Sequence, residues 1–104
     1  MDEHRADLLK AGLDLFNEGR YFEAHEVWED LWRISEGDEK GFYQGLIQAA
    51  VGLHHLERHN AAGARSQLTK AIRNLTAHGN SAGPIDAEDL LRRLRAARDD
   101  LKAP

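Results

Sequence analysis

The stretch YFEAHEVWEDLW, Tyr21 to Trp32, sets His25 and Glu29 four residues apart with Glu26 between them. Residues at that spacing share one face of a helix, so an imidazole and a carboxylate there can hold each other or share a ligand. The pattern is one residue short of H-E-x-x-H, in which two histidines bind zinc and the glutamate acts as base, because Glu29 stands where the second histidine would be. A metal centre needs three or four ligands. His25 and Glu29 supply two, His55 or His54 a third, and water or a glutamine the rest, a mixed N/O set that suits zinc, manganese or iron. The chemistry would be activation of water by the metal with Glu26 or Glu29 as base. The competing reading is a packing histidine held by its i,i+4 carboxylate, with its other nitrogen on a glutamine.

The elements that position these residues are helical. At 104 residues the chain predicts one domain, 1–104, with room for a modest core. Leu, Ala, Glu and Arg abound, while the short Val/Ile/Thr alternations of strands are missing. A first helix from about Asp2 to Glu18 places Leu8, Leu9, Leu13 and Phe16 on one face and stops at Gly19. The second, Arg20 to Ile34, follows so closely that it must run antiparallel. Ser35 and Asp38 are candidate caps for a third helix ending near Arg58, and Asn60 caps a fourth with the stripe Ala61, Ala64, Leu68, Ala71, Ile72 and Leu75. After His78-Gly79 and the loop GNSAGPI, Asp86 caps a last helix, about 86–102, with Leu90, Leu94 and Leu101 inward and Arg92, Arg93, Arg95 and Arg98 outward. Glu88 with Arg92 and Asp89 with Arg93 are expected i,i+4 pairs.

A 40-residue offset sets Gly12 over Gly52, Ala24 over Ala64, Trp28 over Leu68 and Trp32 over Ile72. The chain therefore reads as two helical hairpins closed by a fifth helix, an all-α bundle. The spacing around Gly19, Tyr21, Ala24 and Trp28 is similar to a tetratricopeptide repeat, where small residues let paired helices approach.

Around the second helix the apolar residues, Trp28 among them, fill nearly half the circumference, and Glu23, Glu26, Asp30 and Arg33 the opposite side. His25 and Glu29 fall on the border beside Trp32, and Glu26 faces water. The third helix carries no charge from Gly41 to Leu56, which makes it central. Gln44, Gln48 and His55 align along it, flanked by Gly45 and Gly52. Such a stripe must find partners or line a cavity, since burying each group unpaired costs about 1–3 kcal/mol. The second helix is the expected partner, and the expected site is His25, Glu29, Trp32, Gln44, Gln48 and His55. His54 is expected to pack against another helix. His4, His59 and His78 read as surface residues near helix ends, and the Arg run of the last helix as a solvated face. No cysteine is present, and Ser35, Ser66 and Ser81 fall in loops or on an exposed face, so nucleophilic catalysis has no support.

The net charge of −4, spread over both signs, argues against a general nucleic-acid binder, and no segment is apolar and long enough to span a bilayer. The absence of cysteine and of a secretory leader points to the cytoplasm.

The run F-N-x-G-x-Y-F-E-A-H-E-x-W-E-x-x-W from Phe16 to Trp32 is followed by Q-G-L-I-Q-x-A from Gln44 to Ala50. The pair His54-His55 and N-x-x-G-A from Asn60 to Ala64 come next. Together, over about residues 8–76, these resemble the domain of unknown function 309 family, with the last helix outside the match. The resemblance implies a small all-helical fold without an established activity, in a family whose members are sometimes described as predicted metal-dependent hydrolases. Its motif positions here are His25, Glu26, Trp28, Glu29, Trp32, Gln44, Gln48 and the histidine pair. The expected function is a helical module binding a small molecule or a partner peptide at the polar cluster, as a homodimer that covers the apolar surface of a small core. The alternative is a hydrolase using the same residues with a divalent metal.

Overall fold

A computed structural model describes residues 2–79 and 83–101. Five helices follow one another: α1 (Glu3–Asn17), α2 (Tyr21–Arg33), α3 (Gly37–Glu57), α4 (Ala61–His78) and α5 (Ala87–Asp99), with no strand among the described residues. Part of the expected loop before α5, residues 80–82, and the end of the last helix beyond 101 lie outside the described residues. No helix among the described residues is long and apolar enough to cross a membrane.

The ends of the helices follow from local chemistry. Asp2, Asn60 and Asp86 each accept a backbone N–H three residues on, from Arg5, Gly63 and Asp89. The start of α3 is different. Glu36 is its N-cap and offers no side-chain bond, and Gly37, with φ +65°, turns the chain into the helix. Ser35, expected as a cap, is buried and donates its hydroxyl back to the Leu31 carbonyl at 2.6 Å. Asp38, the other expected cap, lies in the first turn of α3 and meets His78 Nδ1 at 2.5 Å, tying the start of α3 to the end of α4.

The turns between α1 and α2 and between α3 and α4 are the same object forty residues apart. Arg20 N–H donates to the Leu15 carbonyl and Gly19 N–H to that of Phe16. In the second turn Asn60 N–H donates to the His55 carbonyl and His59 N–H to that of Leu56. Both are Schellman caps with a residue in the left-handed region at the pivot. Gly19 takes that conformation at φ +79° without a Cβ; His59 takes it at φ 60° with one.

Close approach builds each hairpin. A Cβ on Gly12 would fall inside the Trp28 indole, and one on Gly52 would stand 2.9 Å from Leu68 Cδ2. These pairs again differ by forty residues. Trp28 is 1% exposed and donates its Nε1–H to the Leu9 carbonyl at 3.2 Å, so α1 both accepts the indole and satisfies its one polar group. Gly45 gives α4 the same access, with Leu75 Cγ 2.8 Å from a Cβ placed there. α3 is the central element, packed on α2 on one side and α4 on the other, while α5 covers α4. Buried Leu9, Phe16, Trp28, Leu31, Phe42, Tyr43, Leu46, Leu68, Leu75, Leu90 and Leu94 join one continuous core.

Two details depart from the sequence pattern. Ala61 is exposed in the first turn of α4. On α5, Arg92 bonds Asp89 at 2.8 Å, three residues back, and Arg93 lies over the Phe16 ring at 5.7 Å, in place of the two expected i,i+4 pairs. The aromatic face holds Arg93 on the α1 side of the helix.

Two measurements test this account. His59→Gly removes left-handed strain of roughly 1–2 kcal/mol and returns part of it as chain entropy. The expected result is a net gain of about 0.5–1 kcal/mol and a melting temperature higher by roughly 2–8 °C. An unchanged or lower midpoint would show that the His59 side chain compensates its own backbone. The second concerns Tyr43, fully buried, whose hydroxyl lies 3.5 Å from Glu39 Oε2. Burial, and then the Glu39 charge, pushes its pKa up to about 12 from 10.0. Above pH 10 the unfolded chain releases this proton while the folded chain keeps it, so stability falls as pH rises from 10 to about 12. Urea midpoints across that window should fall less steeply for Tyr43→Phe than for the parent. Equal slopes would sink the assignment.

Candidate functional site

Along α2, His25 is anchored through one ring nitrogen and has a carboxylate near the other. Nδ1 stands 2.5 Å from the Phe22 carbonyl one turn back, and Nε2 is 3.7 Å from Glu29 Oε1 one turn on. A carbonyl only accepts, so Nδ1 carries the hydrogen and Nε2 is left as the acceptor in the neutral ring. Glu29 also lies 4.0 Å from Arg33 Nη2, and Glu26 is exposed, as its place on the charged arc implies. Trp32 is half-buried beneath the Lys40 ammonium, 4.2 Å from the ring centroid.

The polar stripe of α3 does not come to these residues as a unit. The Gln48 Oε1 accepts from Asn74 Nδ2 of α4 at 2.7 Å. His55 Nδ1 lies 3.3 Å from Asn60 Nδ2, and its ring edge borders Gly63, so it belongs to the α3–α4 turn. Gln44 is half-buried between the two directions. The reason is the glycines beside the stripe. Gly45 and Gly52 admit α4 to close range, and Gln48 and His55 lie on the same side of α3 as they do.

Of the two α3 histidines, His54 is the one that meets an α2 side chain, Phe22. Its ring is 5.2 Å from that of Phe22, and the His25 ring is 4.8 Å from the same Phe22 ring. Phe22, 51% exposed, thus contacts two imidazoles from two helices. The sequence reading passed over it, although an aromatic three residues before His25 on the edge of a charged arc was a readable signal. Asn74 was also missed; it is the amide on α4 opposite a glutamine, and only the packing of the two helices pairs them.

These placements bear on metal chemistry. Among the described residues no three of His, Cys, Asp and Glu gather to hold an ion. Of the four candidate ligands, His25 and Glu29 adjoin, His54 contacts the Phe22 ring, and His55 is engaged with Asn60. A depression of about 160 Å³ between α1 and α5 is also away from the histidines. Leu13, Phe16, Trp28, Leu46, Leu90 and Arg93 are among its walls. Its volume is benzene-sized and its floor apolar. Asp86 at its rim caps α5 and Asp89 accepts from Arg92, so its carboxylates are committed to the helix.

With the geometry in place, the comparison with known proteins is direct. The family described as "Domain of unknown function (DUF309)" matches residues 9–67, from the buried Leu9 of α1 into α4. The chain belongs to this family. The DUF309 span contains both Schellman turns, the Gly12–Trp28 contact and Phe22, His25, Glu29, Gln48, His54 and His55, and it stops short of Leu68, Asn74, Leu75 and α5. An uncharacterized protein of Aquifex aeolicus (strain VF5) is 34% identical over 68 residues, 64% of this chain and 20% of that protein. The uncharacterized protein YpuF of Bacillus subtilis (strain 168) is 41% identical over 58 residues, 55% of this chain and 33% of that protein. The chain thus matches a fifth to a third of the length of these relatives. No solved structure matches it.

Gln48 separates packing from recognition. Gln48→Leu leaves the Asn74 amide without its acceptor and should cost about 1–3 kcal/mol in chemical denaturation. Replacing both residues, Gln48→Leu with Asn74→Leu, should recover most of that loss. Additive losses in the double variant would show that the two amides serve something other than each other.

Proposed function

We propose that this DUF309 domain is a non-catalytic helical module that binds a segment of a partner polypeptide across α2 and α3. The reading rests on Phe22: half-exposed, oriented by the His25 and His54 rings, and bordered along α2 by the carboxylates of Glu26 and Glu29. A lone exposed aromatic needs no explanation. One held in place by rings from two helices is pre-organised, which lowers the ordering cost of binding. The chemistry fits a segment offering an apolar side chain to Phe22 and a cation to Glu26 or Glu29. The length of the relatives is in keeping with a protein partner, because the matched region there is accompanied by much additional chain. Trp32, with Gln44 beyond it, would extend the same face.

The competing reading is a metal-dependent hydrolase built on His25, Glu29, His54 and His55 with Glu26 or Glu29 as base. It requires ligands that stand apart here to converge, and the 3.7 Å His25–Glu29 pair is its starting point.

Titration with short amphipathic peptides carrying Leu and Lys, followed by amide chemical shifts, tests the first reading. Shifts should centre on Phe22, His25 and His54, and Phe22→Ser should abolish them while leaving the melting temperature unchanged. Shifts mapping to the cavity beside Arg93, or persisting in Phe22→Ser, would count against it. Elemental analysis of tag-free protein tests the second: stoichiometric zinc, manganese or iron, lost on His25→Ala, would establish a metal site and overturn the binding-module reading.

A further inference from the structure

Charge is divided unevenly along the chain. Residues 1–57 hold five Lys and Arg against thirteen Asp and Glu, whereas residues 58–104 hold nine against five. From Arg58 to Ile85 there is no Asp or Glu at all. α4 falls wholly within that interval, and its solvent face is a row of Ala62, Arg65, Ser66, Thr69, Lys70 and Arg73, all exposed and lining one shallow depression. At about 100° per residue the row occupies an arc of about 140°, and Arg65 to Arg73 rises about 12 Å.

Elsewhere among the described residues five Lys or Arg cations pair with acids, and Lys40 and Arg93 lie over aromatic rings. Arg5 pairs with Asp2 at 3.0 Å, Lys10 with Asp14 at 3.0 Å, Arg20 with Glu23 at 2.5 Å, Arg33 with Asp30 at 2.8 Å and Arg92 with Asp89 at 2.8 Å. On α4, Lys70 and Arg73 have no carboxylate partner among the described residues, and Arg65 donates Nη2 to the Leu101 carbonyl, not to an acid. In a chain with acid in excess, the helix that lacks acid has kept its positive face uncompensated. A face that only needs to be solvated is served equally well by mixed charge.

We propose that this face of α4 binds the phosphate backbone of a nucleic-acid strand. No large apolar or aromatic side chain stands in the row, so it lacks the anchors of a protein hot spot or of a helix that lies in a bilayer surface. Its hydroxyls, Ser66 and Thr69, lie among the cations, and both side-chain types contact phosphate oxygens. A 12 Å rise spans about three to four phosphates of a strand at roughly 3.4 Å each. The net charge of −4 does not prevent this, since α3 separates α4 from the acidic face of α2 and salt screens charges beyond about 8–10 Å. With no group placed to read base edges, binding is independent of sequence. The surface is on a different helix from Phe22 and does not depend on the peptide reading.

Fluorescence anisotropy of the full chain with a labelled single-stranded RNA and a duplex DNA of about 20 nucleotides tests it, between about 25 and 200 mM KCl. The expected dissociation constant is about 10⁻⁶ to 10⁻⁴ M, with a log–log salt slope for the single strand near about −2 from three released counterions. Lys70→Glu with Arg73→Glu should weaken binding at least about tenfold at unchanged melting temperature, and Phe22→Ser should bind as the parent does. The milder pair Lys70→Gln with Arg73→Gln serves if charge reversal impairs folding. Preference for the RNA or the duplex identifies the source of the phosphates. No binding at the lowest salt, a flat salt dependence, or equal binding by the charge variants would overturn the proposal. So would tighter binding to phosphatidylserine vesicles than to either nucleic acid. Salt-sensitive self-association in sedimentation, abolished by the charge variants, would give the face to a second copy of the chain and overturn it equally.

Discussion

The arrangement depends on helices approaching where glycine removes a side chain. Gly12 makes room for the Trp28 indole, and Gly45 and Gly52 make room for Leu75 and Leu68. Each contact fixes which face of a helix meets its neighbour, because a Cβ at any of the three would collide with a large side chain. The polar groups follow from that choice. Gln48 and His55 share the glycine side of α3, so the contact that brings α4 in also determines that Gln48 finds its partner in Asn74. α2 packs on the other side, where His54 stands, and the imidazole that meets Phe22 is therefore His54.

Most of the fold was legible because it is written in short-range signals. Asp2, Asn60 and Asp86 mark helix starts by accepting an N–H three residues on, Gly19 announces a stop, and the uncharged run from Gly41 to Leu56 announces a central helix. The site was legible only by half. A helical wheel shows that Gln44, Gln48 and His55 lie together, but α3 has two neighbours, and the wheel does not say which one the stripe faces. The glycines beside the stripe held the answer: small residues mark the tighter interface, and the tighter interface is with α4. Ser35 illustrates a second kind of miss. A serine before a helix can cap forward or bond back to the preceding turn, and burial at the end of α2 selected the second. The α5 ion pairs illustrate a third, since the Phe16 ring offered Arg93 a site that no spacing rule on α5 alone could reveal.

What the DUF309 domain offers chemically is thus divided between surfaces. One imidazole–carboxylate pair lies along α2, two imidazoles contact an aromatic ring between α2 and α3, and an amide pair joins α3 to α4. Among the described residues no buried side-chain polar atom lacks a hydrogen-bond partner. Interior polarity here is settled within the fold, which shifts attention from the core to the exposed faces of α2 and α4. The relatives carry the matched span within chains three to five times its length.

The succession of helices also carries a kinetic meaning. Every extensive helix–helix contact is between consecutive elements, α1 with α2, α2 with α3, α3 with α4 and α4 with α5. Loops of a few residues close the first three of these, so the entropy of bringing partners together is small at each step. Such a topology has low contact order, placing the domain among chains that fold in microseconds to milliseconds, and in which one hairpin can serve as template for the next.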